Sequence, residues 1–132
     1  MTRSVIEQSV VLPAPARRLY EMYLDPAAHA AFTGHPVLIG PEPGDAFRAF
    51  NGMLTGELLA VSPPQLIVQS WRSGHFNADD PDSTLILRFV DERGQGRIEL
   101  IQLDVPPQDY DAVVEGWPKH YWNPWREWLE TQ

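Results

Sequence analysis

Apolar and polar positions alternate through most of the first 105 residues, and this period of two predicts a protein built mainly from strands. Asn51-Gly52 and residues 92–95 are short turn signals between such runs, so consecutive strands are expected to pair antiparallel. Proline pairs at 63–64 and 106–107 end two of the runs. The predicted strands cover residues 3–12, 37–40, 45–50, 53–61, 65–73, 83–92 and 96–105.

Two short helices are predicted after the first strand. In residues 16–24 the large apolar side chains recur at helical spacing, with charged residues on the opposite side. Asp25 followed by Pro26 has the pattern of an N-cap and a first helical residue, so a second helix is expected to begin there. Gly34 is expected to end that helix.

The C-terminal segment GWPKHYWNPWREWLE, residues 116–130, contains four of the five tryptophans of the chain. On a helix, Trp117, Tyr121, Trp125 and Trp128 fall within an arc of about 80°. This stripe predicts a helix with one aromatic face that must be covered by the rest of the protein. Large flat rings fill space imperfectly, so the face is expected to be partly core and partly the wall of a cavity.

The prolines of this segment predict irregularities in the helix. Because Trp117 precedes Pro118, we expect a break near Gly116 and Trp117, with a short helix over 107–115 before it. Pro118 then suits the first turn of the main helix. Pro124 lies farther in and is expected to kink the helix or loosen one turn.

These elements together predict an α+β fold in one domain, residues 1–132: a curved antiparallel sheet of six or seven strands that grips a long C-terminal helix. Side chains that alternate along a strand share a face. The concave face is expected to hold Ile67, Gln69, Trp71, Leu85, Leu87, Phe89, Ile98, Leu100 and Gln102. The outer face is expected to hold Ile86, Val90, Glu99, Ile101 and Leu103, and its apolar members favour a homodimer.

Charge and composition exclude several classes of function. Ten basic and eighteen acidic residues give a formal net charge of −8, which argues against nucleic acid or an anionic membrane surface as a partner. The chain has no cysteine, so disulfides and thiolate metal sites are excluded. The N-terminal residues do not resemble a secretory signal, and no run approaches the ~20 apolar residues of a membrane helix. A cytoplasmic protein is therefore expected.

Motifs for catalysis or cofactor binding are absent from the sequence. It contains no GxSxG or SxxK nucleophile motif and no complete phosphate-binding loop. The four histidines show no metal-ligand spacing, so neither a metal nor a cofactor is expected. Glu57, His75 and His120 are the candidates for an inward-facing acid or base, and no catalytic residue is assigned.

Three segments carry a family resemblance: FNGMLTGELLAVSPPQLIVQSWR, LIQLDVPP and GWPKHYWNPWREWLE. Together they resemble the activator of heat-shock protein 90 ATPase homologue family, within the START-like (SRPBCC, Bet v 1-like) superfamily of helix-grip domains. The resemblance implies a ligand cavity between sheet and helix and allows a chaperone as partner. Its bacterial members are mostly single-domain, whereas the eukaryotic activator carries an additional N-terminal domain that a chain of this length is not expected to contain.

The leading functional hypothesis is non-enzymatic binding of a small apolar or aromatic molecule in that cavity. Gln69 and Gln102 are expected either to orient a polar atom of the ligand or to bond to each other or to the helix. The alternatives are a co-chaperone-like interaction module and an enzyme of the cyclase or hydratase kind. The predicted cavity residues are Gln69, Trp71, Leu87, Gln102, Trp117, Tyr121 and Trp125, with Phe32, His75 and Phe76 near the mouth.

Overall fold

A computed structural model describes residues 4–132, which form a seven-stranded antiparallel sheet wrapped around helices. The strands are β1 (Ser4–Leu12), β2 (Val37–Leu38), β3 (Ala46–Ala49), β4 (Leu54–Ser62), β5 (Leu66–Ser73), β6 (Ser83–Glu92) and β7 (Gln95–Val105). The helices are α1 (Ala16–Leu24), α2 (Pro26–Thr33), α3 (Tyr110–Trp117) and α4 (Asn123–Glu130). Arg3, the predicted start of the first strand, lies outside the described residues. The predicted architecture is confirmed.

The sheet is a meander to which the first strand is added at one edge. Its order is β1-β7-β6-β5-β4-β3-β2, so β1 pairs with β7 while α1 and α2 connect β1 to β2 at the opposite edge. The predicted Asn51-Gly52 turn joins β3 to β4, and both residues have positive φ angles, 58° and 85°. Gly56 lies opposite Trp71, where a Cβ would come within 2.0 Å of the Ser70 carbonyl oxygen. Glycine therefore lets β4 and β5 approach closely beside the aromatic core.

The two faces of the sheet follow the predicted alternation. Side chains at every second position of β5, β6 and β7 are buried, including both predicted glutamines. On the outer face Glu99 pairs with Arg97 at 3.2 Å and with Arg88 at 3.4 Å, so it points away from the core as predicted. Ile101 is 37% exposed on the same face.

The C-terminal helix passes through Pro118 without a break, so the predicted interruption at Gly116 and Trp117 is wrong. Trp117 has helical angles, φ −60° and ψ −53°. Pro118 has no N–H to donate to the Val114 carbonyl, which would leave that acceptor unpaired. Gln8 on β1 supplies the missing donor, because its Nε2 lies 2.9 Å from the Val114 oxygen. A tertiary hydrogen bond thus replaces the helical one.

Pro124 coincides with a loosened turn, as predicted. Residues Pro118–Trp122 form a π-helical turn between α3 and α4, in which the Asn123 N–H donates to the Pro118 carbonyl five residues back. Pro124 offers no N–H to the His120 carbonyl, so the ordinary α-helical bond cannot form there. The wider turn changes the direction in which the following side chains point around the helix axis. Trp122 is therefore buried as well as Tyr121.

Candidate functional site

A cavity of about 180 Å³ lies where the ends of β4 and β5 meet α3 and the π-helical turn. Its apolar lining includes Met53, Leu54 and Val113. Four aromatic rings complete this lining and are called the aromatic wall below: Phe50, Trp71, Trp117 and Tyr121. The remaining concave face is filled by packed side chains, so the free space is concentrated at one end of the sheet.

The aromatic wall is a connected set of rings. The centroids of Trp71 and Trp117 are 6.3 Å apart, and those of Trp117 and Tyr121 are 4.9 Å apart. Phe50 meets Tyr121 edge to face at 6.0 Å. Contacts at these separations and tilts are favourable for aromatic pairs. The wall therefore keeps its shape through ring–ring packing as well as through the backbone.

Two buried polar side chains lie at one end of the cavity. Ser73, the last residue of β5, donates its Oγ–H to Oδ2 of Asp109 at 2.6 Å. The backbone N–H of His75 donates to the same Oγ at 3.0 Å. Asp109 immediately precedes α3 and is only 2% exposed. A fixed carboxylate thus contributes to a mainly apolar lining.

His75 and His120 contribute to the cavity lining while remaining exposed to solvent. Partial burial lowers the pKa of His120, and the positive charge of Lys119 and the nearby His35 lower it further. The neutral form of His120 is therefore favoured at neutral pH.

Gln102 holds the helix to the sheet. The indole N–H of Trp117 donates to Oε1 of Gln102 at 2.9 Å, and Nε2 of Gln102 donates to Oγ of Ser83 at 3.1 Å. Ser83 donates in turn to the Trp71 carbonyl at 2.7 Å. Of the two alternatives predicted for this residue, the structure shows the bond to the helix. Gln102 is 0% exposed and fixes the orientation of Trp117 in the aromatic wall.

Gln69 has a different partner, on α1. The Tyr23 hydroxyl donates to its Oε1 at 2.5 Å, and its Nε2 donates to the Ser70 carbonyl at 3.3 Å. Burial raises the pKa of Tyr23 well above its ordinary value, and Tyr121 adds to the shift, so this hydroxyl remains a donor. The Gln69 side chain is therefore occupied by protein groups.

His29 forms a hydrogen bond with Tyr121 of the aromatic wall, and the sequence reasoning missed it. Its Nδ1 lies 2.7 Å from the Tyr23 carbonyl and must carry the proton, because a carbonyl only accepts. Nε2 is then free to accept from the Tyr121 hydroxyl at 2.9 Å. Burial lowers the pKa of His29 to about 4 and raises that of Tyr121. A lone histidine within the apolar run AAHAAF was the available signal.

A family model described as activator of Hsp90 ATPase homolog 1-like protein matches residues 13–128. The chain belongs to this family. An uncharacterized protein of Schizosaccharomyces pombe is 34% identical over 116 residues, covering 80% of this chain and 34% of that protein. A Dictyostelium discoideum protein named activator of 90 kDa heat shock protein ATPase homolog is 25% identical over 101 residues, covering 76% of this chain and 26% of that protein. The chain thus spans about a third or less of the length of these relatives.

Solved structures agree with the helix-grip fold of this family. The crystal structure of an HSP90 activator from Plasmodium falciparum superimposes with a TM-score of 0.82 at 19% sequence identity, covering 90% of this chain and 91% of that one. At this level of identity the similarity establishes the fold and leaves the activity to be argued from the site.

Four of the ten predicted cavity residues of this family member line the cavity: Trp71, His75, Trp117 and Tyr121. Phe32 is displaced from the predicted mouth because it stacks on Trp125, with ring centroids 4.0 Å apart. Phe76 packs between Trp71 and the Arg72 guanidinium. The other six predicted residues lie outside the lining of this cavity: Phe32, Gln69, Phe76, Leu87, Gln102 and Trp125.

Several cavity residues were missed by the sequence reasoning. Ser73 continues the inward alternation of Gln69 and Trp71, so extending that parity by one step would have found it. Phe50 follows the end of β3, and Asp109 is the last residue of a short 3-10 helix, Pro107–Asp109, so strand alternation gives no signal for either. Among residues 4–132, no group of three or more His, Cys, Asp or Glu side chains is placed to hold a metal ion. None of the helices in that range is long and apolar enough to cross a membrane.

Proposed function

We propose that the protein binds a small, mostly apolar molecule in the cavity without transforming it chemically. The observation that carries this proposal is the free volume of about 180 Å³ left beside the aromatic wall of an otherwise packed concave face. Pockets for drug-sized ligands measure roughly 300–1,000 Å³. The proposed ligand is therefore a molecule of one or two rings, or one end of a longer molecule whose remainder stays in solvent.

Binding is favoured over catalysis by the positions of the acid and base candidates. Glu57 is exposed on β4 and does not contribute to the cavity lining. His75 and His120 lie at the cavity but are exposed to water. A general acid or base is most effective when it reaches the reacting atom in a site that excludes bulk water. The cyclase or hydratase alternative therefore gains no support from these three residues.

A chaperone partner is the second candidate function. It is supported by the relatives named activators of the 90 kDa heat shock protein ATPase and by exposed apolar side chains on this chain. Val5, Leu59 and Ile101 are the exposed large apolar residues of the long strands β1, β4 and β7. Alternatively, the outer face forms a homodimer interface, and Ile101 is buried in that interface instead. Location in the cytoplasm and organisation of residues 1–132 as one domain remain predictions from the sequence.

A fluorescence titration tests ligand binding directly. We expect 2-naphthylmethanol to change the tryptophan emission of the wild-type protein saturably, because the probe would enter next to Trp71 and Trp117. Trp71→Leu should weaken binding several-fold while leaving an apolar side chain in place. Trp128→Leu is the matched control, because Trp128 is half-buried outside the cavity lining.

Two results would count against the proposal. One is the absence of a saturable change with the naphthyl probe and with a second panel of fatty alcohols. The other is an equal loss of affinity in Trp71→Leu and Trp128→Leu, which would place the binding outside the cavity.

A further inference from the structure

Among the described residues, the cavity lining contains an acidic side chain that is not balanced by a lysine or an arginine. Within the described chain its lining contains one acidic side chain, Asp109, and no lysine or arginine. The two histidines of the lining are exposed, and the neutral form of His120 is favoured by its lowered pKa. The whole chain carries a formal charge of −8. A ligand group that enters this space therefore meets a carboxylate without a competing cationic side chain from the lining.

Asp109 is held in place. Ser73 donates to Oδ2 at 2.6 Å, and the N–H of His75 fixes the position of Ser73 Oγ at 3.0 Å. With one oxygen already engaged, the carboxylate still has acceptor capacity, since an ionised carboxyl offers about four lone-pair sites. Its position is thus fixed before any ligand arrives, which lowers the entropic cost of binding a donor.

The aromatic wall adds a second attraction for positive charge. Trp71, Trp117, Tyr121 and Phe50 all contribute to the lining, and the faces of such rings attract ammonium groups. Tryptophan is the strongest of these rings, and the wall contains two. An arrangement of several aromatic rings with a nearby carboxylate is chemically matched to an organic ammonium ion.

We infer that the cavity selects a small organic cation, a protonated amine carried on an aromatic or short apolar body. The ammonium group donates to Asp109, and the apolar body lies against the aromatic wall. This inference rests on the proposed function, since it names the chemical class of the ligand for the same cavity.

A matched series of naphthalene probes tests the inference. 2-Naphthylmethylammonium, 2-naphthylmethanol and 2-naphthoate share one ring system and differ in charge. At about 150 mM salt, where charges beyond roughly 8 Å are screened, the ammonium probe should bind at least about tenfold more tightly than the alcohol. The carboxylate probe should bind most weakly. Isothermal titration calorimetry measures all three affinities.

Two variants locate the source of the selectivity. Asp109→Asn should reduce the preference for the ammonium probe to within about threefold, while its amide oxygen can still accept from Ser73. Asp111→Asn removes the same charge from an exposed position two residues away and should leave the preference unchanged. Thermal melts check that both variants are folded. If Asp109→Asn does not fold, the three probes are compared on the wild-type protein at about 150 mM and about 500 mM salt, because a preference that arises from the overall charge would be lost at the higher concentration, whereas one that arises from contact with Asp109 would largely remain.

The contradicting outcomes are distinguishable. Equal affinity for ammonium and alcohol would overturn the inference and leave the proposed function standing. A preference that survives in folded Asp109→Asn would also overturn it, by assigning the preference to the overall charge of the protein. Failure of all three probes and of the fatty alcohols to bind would remove the proposed function together with the inference.

Discussion

At the scale of single residues, the buried polar side chains position the aromatic rings. Gln102 holds Trp117, Gln69 holds Tyr23, and His29 holds Tyr121, each through a hydrogen bond of 2.5–2.9 Å. A buried polar group is tolerated when it is paired, and its loss leaves the partner unpaired. Gln102 and His29 therefore hold two rings of the aromatic wall in place, while Gln69 holds Tyr23 on α1.

Gln102→Leu should lower stability and change ligand affinity little. The substitution leaves the indole N–H of Trp117 buried without an acceptor, at a cost of about 1–3 kcal/mol. Gln65→Leu changes an exposed residue and should cost under about 0.5 kcal/mol. Urea unfolding measures both. A large loss of affinity with unchanged stability would show instead that Gln102 contacts the ligand.

Stability should fall as the pH is lowered from about 6.5 toward 4, because of His29. In the unfolded chain His29 binds a proton near its ordinary pKa of 6.5, whereas in the folded protein burial lowers that pKa to about 4. Between about pH 6.5 and about pH 4 the unfolded state therefore binds more protons than the folded state, so the free energy of unfolding falls as the pH is lowered. Above this range the full stability is retained. The expected loss between pH 7 and pH 5 is about 2 kcal/mol.

The matched control for this pH effect is an exposed histidine. His35→Gln should retain the full slope of unfolding free energy against pH, because His35 is exposed. His29→Gln should be less stable at pH 7 and should lose most of the slope between pH 7 and pH 5. An unchanged slope in His29→Gln would contradict the assignment.

At the scale of elements, the C-terminal helix depends on β1 for its continuity. Gln8 donates to the Val114 carbonyl that Pro118 leaves without a partner, and its Oε1 accepts from the Trp122 indole at 2.8 Å. One amide thus ties both sides of the proline-containing turn to the sheet. The helix thus continues through Pro118 while this carbonyl is paired.

Gln8→Leu should destabilise the protein by about 1–3 kcal/mol, because the part-buried hydrogen bonds to the Val114 carbonyl and the Trp122 indole are lost. Pro118→Ala should recover part of that loss in the double variant, since an alanine at this position regains a backbone N–H that can donate to the Val114 carbonyl. Denaturant melts of the four proteins form a double-mutant cycle. Strictly additive effects would show that Gln8 does not compensate for the proline.

At the scale of the whole molecule, the sequence predicted the elements better than the site. The period of two in 65–73, 83–92 and 96–105 reports local strand geometry, so the inward faces followed from it directly. The hydrogen bond by which Gln8 compensates for Pro118 connects segments more than a hundred positions apart in the chain. A local sequence pattern therefore could not predict it. The same holds for Phe32, whose place is set by stacking on Trp125.

The extent of the cavity could not be predicted from the sequence for the same reason. Side-chain parity tells which residues face the concave side, and the packing of α2 against α4 then decides where free space is left. That packing fills the region around Trp125 and leaves open the region around Trp71 and Asp109. Family membership fixes the fold, and the chemistry of the site has to be measured.

The most direct measurement of the central claim follows the five indole N–H signals of the ¹⁵N-labelled protein by NMR during titration with 2-naphthylmethanol. Binding in the cavity predicts saturable shifts of the Trp71 and Trp117 signals, whose residues line it, with Trp128 nearly unchanged. Single Trp→Phe variants assign the signals. Absence of any saturable shift, or shifts centred on Trp128 with Trp71 and Trp117 unmoved, would contradict a ligand site in this cavity.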